Sequence, residues 1–410
     1  MNPGDRSPGR DAAPRRGGTR GRGGTDARGE DAPDGDARGR AIGQDGTRRD
    51  GTDGGDGTRG ALAPVRAQVD HALRAFLGQQ REPLLAVGAD LLPVIDAVTG
   101  LLAGGKRLRP AFCYWGWRGA GGRDSPEIMA AVAALELLHA GALVHDDVMD
   151  ASDTRRGRPS LHRQFEARHR AAGWRGGAAE FGTGAAILLG DLLLCWTDEM
   201  FQTCGLPPAA LARGRPVLNL MRTEVFAGQY LDLLAQAAGD AAVQSALRVV
   251  EYKTAKYTIE RPLHLGAALA GEGPGEIIAA YTAYGLPLGI AFQLRDDILG
   301  MFGDPVQTGK PAGDDLREGK RTVLLAIARE RASRADAAVI DRYLGNPRLD
   351  QAGTERVRSV ITGTGALAEC ERMIARHVSV ALAAAAAAPI AAEAKKALAE
   401  LAVAATARHD

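Results

Sequence analysis

The feature that most constrains this chain is a helical segment, residues 126–149, that is apolar almost all the way round and ends in carboxylates. Residues 130–144 are dominated by Ala, Leu and Val, which is typical of a helix buried at the centre of a domain. The segment closes on Asp146, Asp147 and Asp150. Burying such carboxylates costs free energy unless cations meet them. The sequence therefore predicts a helical core with a charged rim.

Helical spacing of apolar residues continues along most of the chain. Residues 62–79 carry Leu, Val and Phe on one stripe. The same pattern recurs in later segments, at 185–203, 208–237, 240–260, 275–301 and 320–334. Strand signals are scarce, because period-two alternation is not sustained and aromatic residues make up only 5% of the chain. We therefore expect an all-α domain over residues 61–410, a single large bundle of about ten or more helices.

Two long connections interrupt this pattern, at residues 151–178 and 303–319. Each directly follows a cluster of aspartates. Loops of this length in compact domains tend to be lids or binding loops. We expect both to lie beside a functional site.

Residues 1–60 differ from the rest of the chain, because they are almost entirely Gly, Arg, Asp, Thr, Ala and Pro. Such a segment cannot bury enough apolar area to offset its ordering entropy, so we predict a disordered tail. It lacks the apolar run of a secretory signal, and its aspartates nearly balance its arginines. A transit peptide or a nucleic-acid-binding arm is the alternative interpretation of the arginines.

The bulk composition argues against several kinds of protein. The formal net charge is +1, so nothing points to a nucleic-acid partner. The four cysteines have no metal-binding or redox spacing, which suits reduced thiols in a cytoplasmic protein. No uninterrupted apolar stretch reaches the roughly 18 residues of a membrane span, so we expect none.

The first aspartate cluster suits a divalent metal. Asp146 and Asp150 are four residues apart, so they share one face of a helix, and Asp147 can reach the same rim. Mg²⁺ prefers oxygen ligands and takes one or two carboxylates together with substrate phosphate. The alternative is an acidic helix end at the surface, which the preceding apolar run argues against.

Basic residues lie on both sides of this cluster. Arg155 and Arg156 follow it, and guanidinium groups match phosphate geometry. They could clamp phosphates that the metals bridge, or only pair with the carboxylates. A loop at 104–110, Gly-Gly-Lys-Arg-Leu-Arg-Pro, precedes a helix. Its glycines and the helix dipole favour an anion, and an ordinary basic turn is the alternative.

The second pair, Asp296 and Asp297, closes another apolar segment, but residue 300 is glycine rather than a third aspartate. Lys310 and Lys320 follow in Gly-Lys turns among further aspartates. Such turns suit a mobile loop that covers phosphate, and equally a plain solvated loop. Two acidic clusters trailed by basic residues predict a site that holds divalent metal and a polyanion together.

Together these motifs resemble those of the trans-prenyltransferases, the polyprenyl diphosphate synthases, and most of all the bacterial geranylgeranyl diphosphate synthases. The resemblance covers residues 65–380. It rests on motifs that stand in the family's order: Gly105-Lys106-Arg107-x-Arg109-Pro110, Glu136-x-x-His139, Asp146-Asp147-x-x-Asp150 with Arg155-Arg156-Gly157, Gly228-Gln229-x-x-Asp232-Leu233, Lys253-Thr254, Phe292-Gln293-x-x-Asp296-Asp297 and Gly309-Lys310-Pro311-x-Gly313-x-Asp315-Leu316.

The resemblance implies an isoprenoid synthase fold, an all-α bundle around a deep central cavity with the two Asp motifs facing each other across its mouth. It implies about three Mg²⁺ ions in the active site. Their ligands would be Asp146, Asp147 and Asp150 on one wall and Asp296 and Asp297 on the other. A homodimer is implied as well.

The resemblance also implies roles for the remaining motif residues. The allylic diphosphate would be held by Arg155, Lys253, Lys310 and Lys320. Isopentenyl diphosphate would be held by Lys106, Arg109, His139 and Arg156. Thr254 and Gln293 would line the reacting centre, with Gln229 and Asp232 in support. Catalysis would be carried by Asp146, Asp147, Arg155, Lys253, Thr254, Gln293 and Asp296.

The implied reaction is a magnesium-dependent, head-to-tail condensation of isopentenyl diphosphate with an allylic diphosphate. Metals and cationic side chains stabilise the departing pyrophosphate, and the second substrate's double bond attacks the allylic cation. The product is a linear trans-prenyl diphosphate. Small residues before the first cluster, Gly141 and Ala142, do not block a long tail, so we expect geranylgeranyl diphosphate (C20).

Three alternatives stay open. The product could be shorter (C15) or longer (C25 and above). A terpene cyclase shares the Asp-Asp-x-x-Asp chemistry, but its second metal motif is missing, because Asn219 and Thr223 are followed by Ala227 where a glutamate is needed. A non-catalytic partner subunit would show lost acidic or basic residues, and only Gly300 hints at that.

Overall fold

The computed structural model describes residues 60–271, 275–303 and 313–407, which form a helical bundle. Its helices are α1 (Leu62–Val87), a 3₁₀ turn (Ala89–Leu91), α2 (Leu92–Leu102), α3 (Leu108–Gly119), α4 (Pro126–Met149), α5 (Leu161–Ala172), α6 (Ala178–Gln202), α7 (Pro208–Ala238), α8 (Val243–Val249), a π-helix (Val250–Glu260), α9 (Arg261–Ala270), α10 (Gly275–Phe302), α11 (Asp314–Glu318), α12 (Val323–Arg331), α13 (Arg334–Tyr343), α14 (Gln351–Gly363), α15 (Ala366–Ala387) and α16 (Ala392–Thr406). In the described residues the only strands are β1 (Thr154–Arg155) and β2 (Arg158–Pro159), an antiparallel hairpin. The all-α prediction is confirmed.

Helix α4 lies at the centre of the bundle, as its composition predicts. Its bounds coincide with the predicted segment, because Ser125 caps the N-terminus through the backbone N–H of Ile128, and Pro126 occupies the first turn. The leucines Leu135, Leu137 and Leu138 point in different directions round the helix and are all fully buried. Helices α1, α3 and α6 pack around it. The aspartates at the end of α4 are thereby carried to the rim of the core.

Helix α10 is the second central element. It packs against α15 and the π-helix and contributes buried residues to two apolar cores. One core surrounds α3, α4 and α9, and the other joins α10 to α12, α14 and α15. Arg295 on α10 is buried and donates to both carboxylate oxygens of Glu371 on α15, at 2.8 Å each. This pair fixes the segment of α10 that also carries Asp296 and Asp297.

One sequence-based expectation about the elements is wrong. Residues 151–178 are not a structureless loop, because they contain the β1–β2 hairpin and the twelve residues of α5. Helix α5 is mostly polar, and the large apolar side chains that it buries are Leu161 and Phe165 alone, so few apolar residues mark it in the sequence. The segment 240–260 is helical as expected from Val243 onward, although α8 passes into a π-helix at Val250.

Three helices, α4, α6 and α10, are long and apolar enough to cross a membrane by length and composition alone. Charged residues interrupt the apolar runs without lowering their mean hydropathy much, so the absence of a membrane span stays a prediction. Of the apolar window of α4, 72% is buried inside the bundle, whereas for α6 the share is only 28%. Helix α4 is thus a core helix, and α6 presents an apolar face outward.

The predicted disordered tail, residues 1–60, lies outside the described residues except for Gly60. The domain boundary at residue 61 stays a prediction. Ala61, at the start of the described part, donates its backbone N–H to Glu400 of α16 at 2.9 Å.

Candidate active site

The C-terminal ends of α4 and α10 face one cavity of about 540 Å³. Its lining includes most of the residues that the sequence singles out: Lys106, Arg109, His139, Asp146, Arg155, Arg156, Asp232, Lys253, Thr254, Gln293, Asp296, Asp297 and Lys320. Asp147 and Asp150 are not among its lining residues, and they pair with Arg155 and Lys320, which are. Lys310 lies outside the described residues. Elements that are distant in sequence thus bring the two acidic clusters and the basic residues together.

Asp146 is held by cations from two directions. Its Oδ1 atom lies 3.2 Å from Nζ of Lys253, and its Oδ2 atom lies 3.6 Å from Nη2 of Arg155. Burial raises the pKa of this carboxyl, but Lys253, Lys320 and Arg155 outweigh burial and lower the pKa to about 2. Arg155 also donates its Nε–H to Asp147 at 2.9 Å. The low pKa makes Asp146 an anion at neutral pH, and it lies among cationic side chains.

Asp150 is in a different electrostatic state although it is only one turn away. Burial, and next the charge of Asp146, raises the pKa of Asp150 to about 6. Nζ of Lys320 lies 3.2 Å from its Oδ2 atom. The same ammonium group contacts Glu318, which in turn accepts a hydrogen bond from the Ser152 hydroxyl. This chain of contacts joins the segment after the first cluster to the segment after the second.

The second acidic wall is fixed by a relay of hydrogen bonds. The Thr254 hydroxyl donates to Oε1 of Gln293 at 2.7 Å, and Nε2 of Gln293 donates to Oδ1 of Asp297 at 2.8 Å. The other carboxylate oxygen, Oδ2 of Asp297, is buried and accepts no hydrogen bond from any described residue. Burial raises the pKa of Asp297 well above its usual range, and Asp296 and Asp315 add to this. A buried carboxylate oxygen without a hydrogen-bond donor is a candidate ligand for a cation.

The π-helix presents functional side chains on successive wide turns. Lys253 donates to Asp232 of α7 at 2.7 Å as well as to Asp146. This requires α7 to approach closely, and glycine permits it, because a Cβ atom at Gly228 would lie 2.7 Å from Cα of Lys253. π-Helical segments occur frequently at functional sites. The Gly228 motif in the sequence is explained by this contact.

Tyr257 and Thr258 on the same helix position Arg109, and the sequence reasoning missed both. The Arg109 guanidinium lies 4.3 Å from the centre of the Tyr257 ring, and its Nη2 donates to Thr258 at 2.9 Å. Burial and the nearby arginines, Arg109 first, lower the pKa of His139 well below its usual range. The imidazole is therefore neutral and can donate one hydrogen bond and accept another. The signal that could have found these residues is their i+4 spacing from Lys253 and Thr254.

Within the basic loop the side chains alternate in direction. Arg107, in the left-handed conformation at φ 54°, turns inward and donates to Asp70 at 2.8 Å and to Glu136 at 2.7 Å. This buried ion pair anchors the loop to α1 and α4. Lys106 and Arg109 are consequently left to line the cavity. Burial lowers the pKa of Lys106, and the charge of Asp296 across the cavity partly offsets that effect.

The missing third aspartate of the second motif is matched by an acidic residue from another element. A Cβ atom built on Gly300 would overlap Oδ2 of Asp315 and lie 3.2 Å from its Cγ. Asp315 belongs to the short helix α11, and its Oδ1 lies 3.9 Å from Nζ of Lys320. The space beside Gly300 is thus filled by a carboxylate.

The donor set fits magnesium shared with a phosphate ligand. Carboxylate oxygens are the ligands that Mg²⁺ prefers, and no described residue donates a hydrogen bond to the buried Oδ2 of Asp297. Among the described residues no group of three or more His, Cys, Asp or Glu side chains is placed to bind one metal ion by protein ligands alone. Each ion would therefore take one or two carboxylates from the protein and the rest of its ligands from diphosphate and water.

Comparisons with known proteins agree with this geometry. The polyprenyl synthetase family model matches residues 94–361. A crystal structure of geranylgeranyl pyrophosphate synthase from Corynebacterium glutamicum, complexed with isoprenyl diphosphate and magnesium, superposes with a TM-score of 0.82 at 41% identity, over 85% of this chain and 99% of that chain. The expected isoprenoid synthase fold is thereby confirmed.

Curated relatives span almost the whole folded part. A geranylgeranyl diphosphate synthase of Mycobacterium tuberculosis is 32% identical over 326 residues, which are 79% of this chain and 87% of the relative. A geranylfarnesyl diphosphate synthase of Aeropyrum pernix is 33% identical over 303 residues, 73% of this chain and 86% of the relative. The chain belongs to the polyprenyl synthetase family and is a prenyltransferase of the trans-prenyl diphosphate synthase class.

Proposed function

We propose that this protein condenses isopentenyl diphosphate with an allylic diphosphate, head to tail, to give geranylgeranyl diphosphate (C20) and pyrophosphate. The observation that carries the proposal is Lys253, which binds Asp146 of α4 at 3.2 Å while its neighbour Thr254 binds Gln293 of α10 at 2.7 Å. Two acidic helix ends therefore share one cavity with phosphate-binding cations. The C20 length follows the names of two relatives.

Each wall has a distinct task in the proposed reaction. Mg²⁺, in about three ions, would neutralise the diphosphate of the allylic substrate as it leaves. Asp146, Asp147, Asp150, Asp296 and Asp297 would hold those ions. The allylic diphosphate would also contact the cations Arg155, Lys253, Lys320 and Lys310, the last of which lies outside the described residues.

The second substrate would lie on the other side of the cavity. Lys106, Arg109 and Arg156 supply positive charge there, and the neutral His139 supplies a hydrogen bond without adding to the repulsion. Thr254 and Gln293 orient the polar rim of the reacting centre. Holding both reactants side by side makes attack on the allylic carbon effectively unimolecular.

A catalytic chain is favoured over a non-catalytic subunit. The hint of degeneracy was Gly300, and Asp315 places its carboxylate in the space beside that glycine. We propose that Asp315 supplies the acidic group that a third aspartate would otherwise supply. A terpene cyclase is disfavoured, because Lys106 and Arg109 face the cavity as a site for a second diphosphate.

We also propose a cytoplasmic homodimer. Large apolar side chains are exposed on α6 and α7, which Arg222 joins by donating to Asp198 at 2.8 Å and 2.6 Å. They are Phe181, Ile187, Leu188, Leu220, Phe226, Tyr230 and Leu234, and we call them the α6–α7 apolar face. Large apolar side chains exposed in such number on two helices are typical of a protein interface. A second copy of the chain would cover it.

The test is an incubation of the full-length protein with isopentenyl diphosphate, an allylic diphosphate and Mg²⁺, followed by chromatography of the products. A linear C20 diphosphate that requires Mg²⁺ is the expected result. A C15 or C25 product would correct the chain length alone. A cyclised hydrocarbon would identify a cyclase, and no product with any primer would indicate a partner-dependent subunit.

A further inference from the structure

A short segment at the junction of α5 and α6 is both exposed and basic. Residues 167–179, which we call the Trp174 turn, contain three arginines and no acidic residue, although acidic and basic residues nearly balance over the whole chain. All of these residues are exposed except His169 and Ala178. Trp174 itself is 46% exposed. A large aromatic side chain and an excess of positive charge therefore face solvent together.

Most of the positive charge of the turn is available to a partner. Arg168 and Arg175 are exposed and form no ion pair with any described residue, and the Arg168 guanidinium lies 5.9 Å from the centre of the Trp174 ring. Arg170 contacts Glu166 of α5, but that carboxylate is buried and also pairs with Arg163 at 2.7 Å. The arginines of the turn are thus not neutralised by their own surroundings.

The turn holds Trp174 in a defined position. Gly173 and Gly176 have left-handed backbone, at φ 62° and 89°, which lets the chain reverse after α5. Nε2 of the buried His169 lies 3.1 Å from the carbonyl oxygen of Arg175, and the His169 ring lies 5.9 Å from the Trp174 ring. The ring of Phe181, on α6, lies 5.2 Å from the same indole. A side chain fixed in this way loses little conformational entropy when it binds a partner.

An exposed indole among arginines suits the headgroup region of a lipid bilayer. Tryptophan rings are enriched at membrane–water interfaces, because one part of the ring is apolar and the other can donate a hydrogen bond. Anionic headgroups attract nearby arginines, each of which strengthens binding by about fivefold. An acidic protein would complement the charge as well. A turn this short, however, is smaller than the roughly 20–30 residues that each partner contributes to a standard protein interface.

We propose that the Trp174 turn docks this protein on the surface of a bilayer that contains anionic phospholipids. Trp174 enters the headgroup region, and Arg168, Arg170 and Arg175 bind lipid phosphates. The attachment is peripheral and requires no membrane-spanning helix. It places the enzyme where a long prenyl chain is soluble. That benefit rests on the proposed function, whereas the docking itself does not.

Co-sedimentation of the full-length protein with vesicles tests the docking. Wild type should bind vesicles of phosphatidylcholine with about one-third phosphatidylglycerol at least about tenfold more tightly than phosphatidylcholine alone. Arg168→Gln with Arg175→Gln should weaken binding to the anionic vesicles by about 25-fold, at about fivefold per arginine. The matched control is Arg342→Gln with Arg356→Gln, which removes the same charge from two exposed arginines that flank Tyr343, and it should bind like wild type. Residues 1–59 are common to all variants, so any contribution from them cancels.

Tryptophan fluorescence reports the insertion of the indole separately. Trp115 and Trp196 are buried and Trp117 is half-buried, so Trp174 is the most exposed of the four tryptophans. Anionic vesicles should shift the emission of wild type to shorter wavelength. Trp174→Ser should abolish this shift and weaken vesicle binding by at least about fivefold. Without vesicles, every variant should keep the wild-type kcat, because none of the substituted residues lines the active-site cavity.

Three results would overturn the docking. The first is a wild-type protein that does not sediment with anionic vesicles, and the second is equal binding by wild type and the variants of the Trp174 turn. The third is binding to soluble polyglutamate as tight as binding to vesicles, with no change in emission, which would assign the turn to an acidic protein partner. A protein that binds vesicles through this turn but forms no prenyl diphosphate would refute the proposed function and support the docking.

Discussion

The carboxylate of Asp315 fills the space that a side chain at Gly300 would need. A Cβ atom at residue 300 would overlap one Asp315 oxygen and lie 3.2 Å from the carboxylate carbon. Both positions adjoin the wall that carries Asp297, whose buried Oδ2 accepts no hydrogen bond within the described part of the chain. One carboxylate, rather than two, can occupy this place.

Because Asp315 occupies the space beside Gly300, we expect Gly300→Asp to restore activity that Asp315→Ala removes. Asp315→Ala should lower kcat by about 10–100-fold, because an acidic partner of the metal site is lost. Gly300→Asp alone should also lower kcat, since two carboxylates would compete for one volume. The double variant should recover to within about tenfold of wild type, because one carboxylate is again present.

Metal binding checks this rescue independently of turnover. Electron paramagnetic resonance of Mn²⁺ in the presence of pyrophosphate should show weakened binding for each single variant and recovery in the double variant. Unchanged Mn²⁺ binding by Asp315→Ala, or a double variant no better than either single one, would refute the substitution of one aspartate for the other.

Removing an aspartate from either wall should abolish turnover. Asp146→Ala and Asp296→Ala should each lower kcat by about a thousandfold or more, because a metal contributes several kcal/mol of charge stabilisation. Product chromatography measures the loss, and circular dichroism checks that the helices persist. Asp341→Ala, which removes a surface partner of Arg329, is the control that should keep full activity. Product formation at the wild-type rate by either wall variant would contradict the metal assignment.

The raised pKa of Asp150 predicts opposite effects on stability and on metal affinity. The folded-state value, about 6, lies above the ordinary value of 3.8. The folded chain therefore holds this proton more tightly, so the free energy of unfolding falls as pH rises from about 4 to about 6. At pH 7, Asp150→Asn should raise the stability of the metal-free protein by about 1–2 kcal/mol in urea titrations.

The same substitution should weaken magnesium binding. In wild type, the Mg²⁺ concentration for half-maximal rate should increase as pH falls below about 6, because the ion must displace the proton from Asp150. In Asp150→Asn this pH dependence should flatten, at a higher Mg²⁺ requirement throughout. A wild-type Mg²⁺ requirement that is independent of pH between 5 and 7 would show that Asp150 takes no part (the window is set by its pKa of about 6).

A charge on the α6–α7 apolar face should separate the proposed dimer. Leu188 is 71% exposed, and Leu188→Glu would place a carboxylate on that face, where desolvation in an interface is costly. Sedimentation velocity should show a dimer for wild type and a monomer for the variant. Val87→Glu is the matched control, because Val87 is 80% exposed at the end of α1. A monomeric wild-type protein in the same experiment would refute the proposed homodimer.

The position that limits product length should be Leu143 rather than Gly141. Leu143 lines the active-site cavity, whereas a Cβ atom at Gly141 would meet α6, at 3.1 Å from the carbonyl oxygen of Gly190. Leu143→Phe should therefore shift the product from C20 towards C15 on chromatography. Gly141→Phe should instead destabilise the α4–α6 packing by about 1–3 kcal/mol. Stable folding with a shortened product in Gly141→Phe would reverse this assignment.

The sequence predicted what local composition encodes. The bounds of α4 and the all-α fold followed from apolar periodicity, whereas the facing of the two acidic clusters across one cavity was implied by the family resemblance. The direction in which a side chain points was harder, because it depends on neighbouring helices. Gly141 illustrates this, since its smallness serves the contact with α6 and not a cavity.

Relationships between distant residues were not readable from the sequence. Thr258 and Tyr257 contact Arg109, although Thr258 follows Arg109 by 149 positions in the sequence. Only the folded bundle brings these residues together. Helix α5 was missed because its polar composition hides a short apolar stripe. The occupation of the space at Gly300 by Asp315 needed coordinates, because both residues lie in segments whose relative placement no spacing rule fixes.

The widened helix from Val250 to Glu260 has a consequence for how this chain can vary. Loss of a single residue from it would let the backbone relax to ordinary α geometry and would turn everything downstream by roughly 100°. Lys253 and Thr254 would then point in a different direction from Tyr257 and Thr258. The ammonium group of Lys253 and the guanidinium group of Arg109 could no longer face the same cavity. The number of residues in this stretch therefore decides which side chains enter the same cavity.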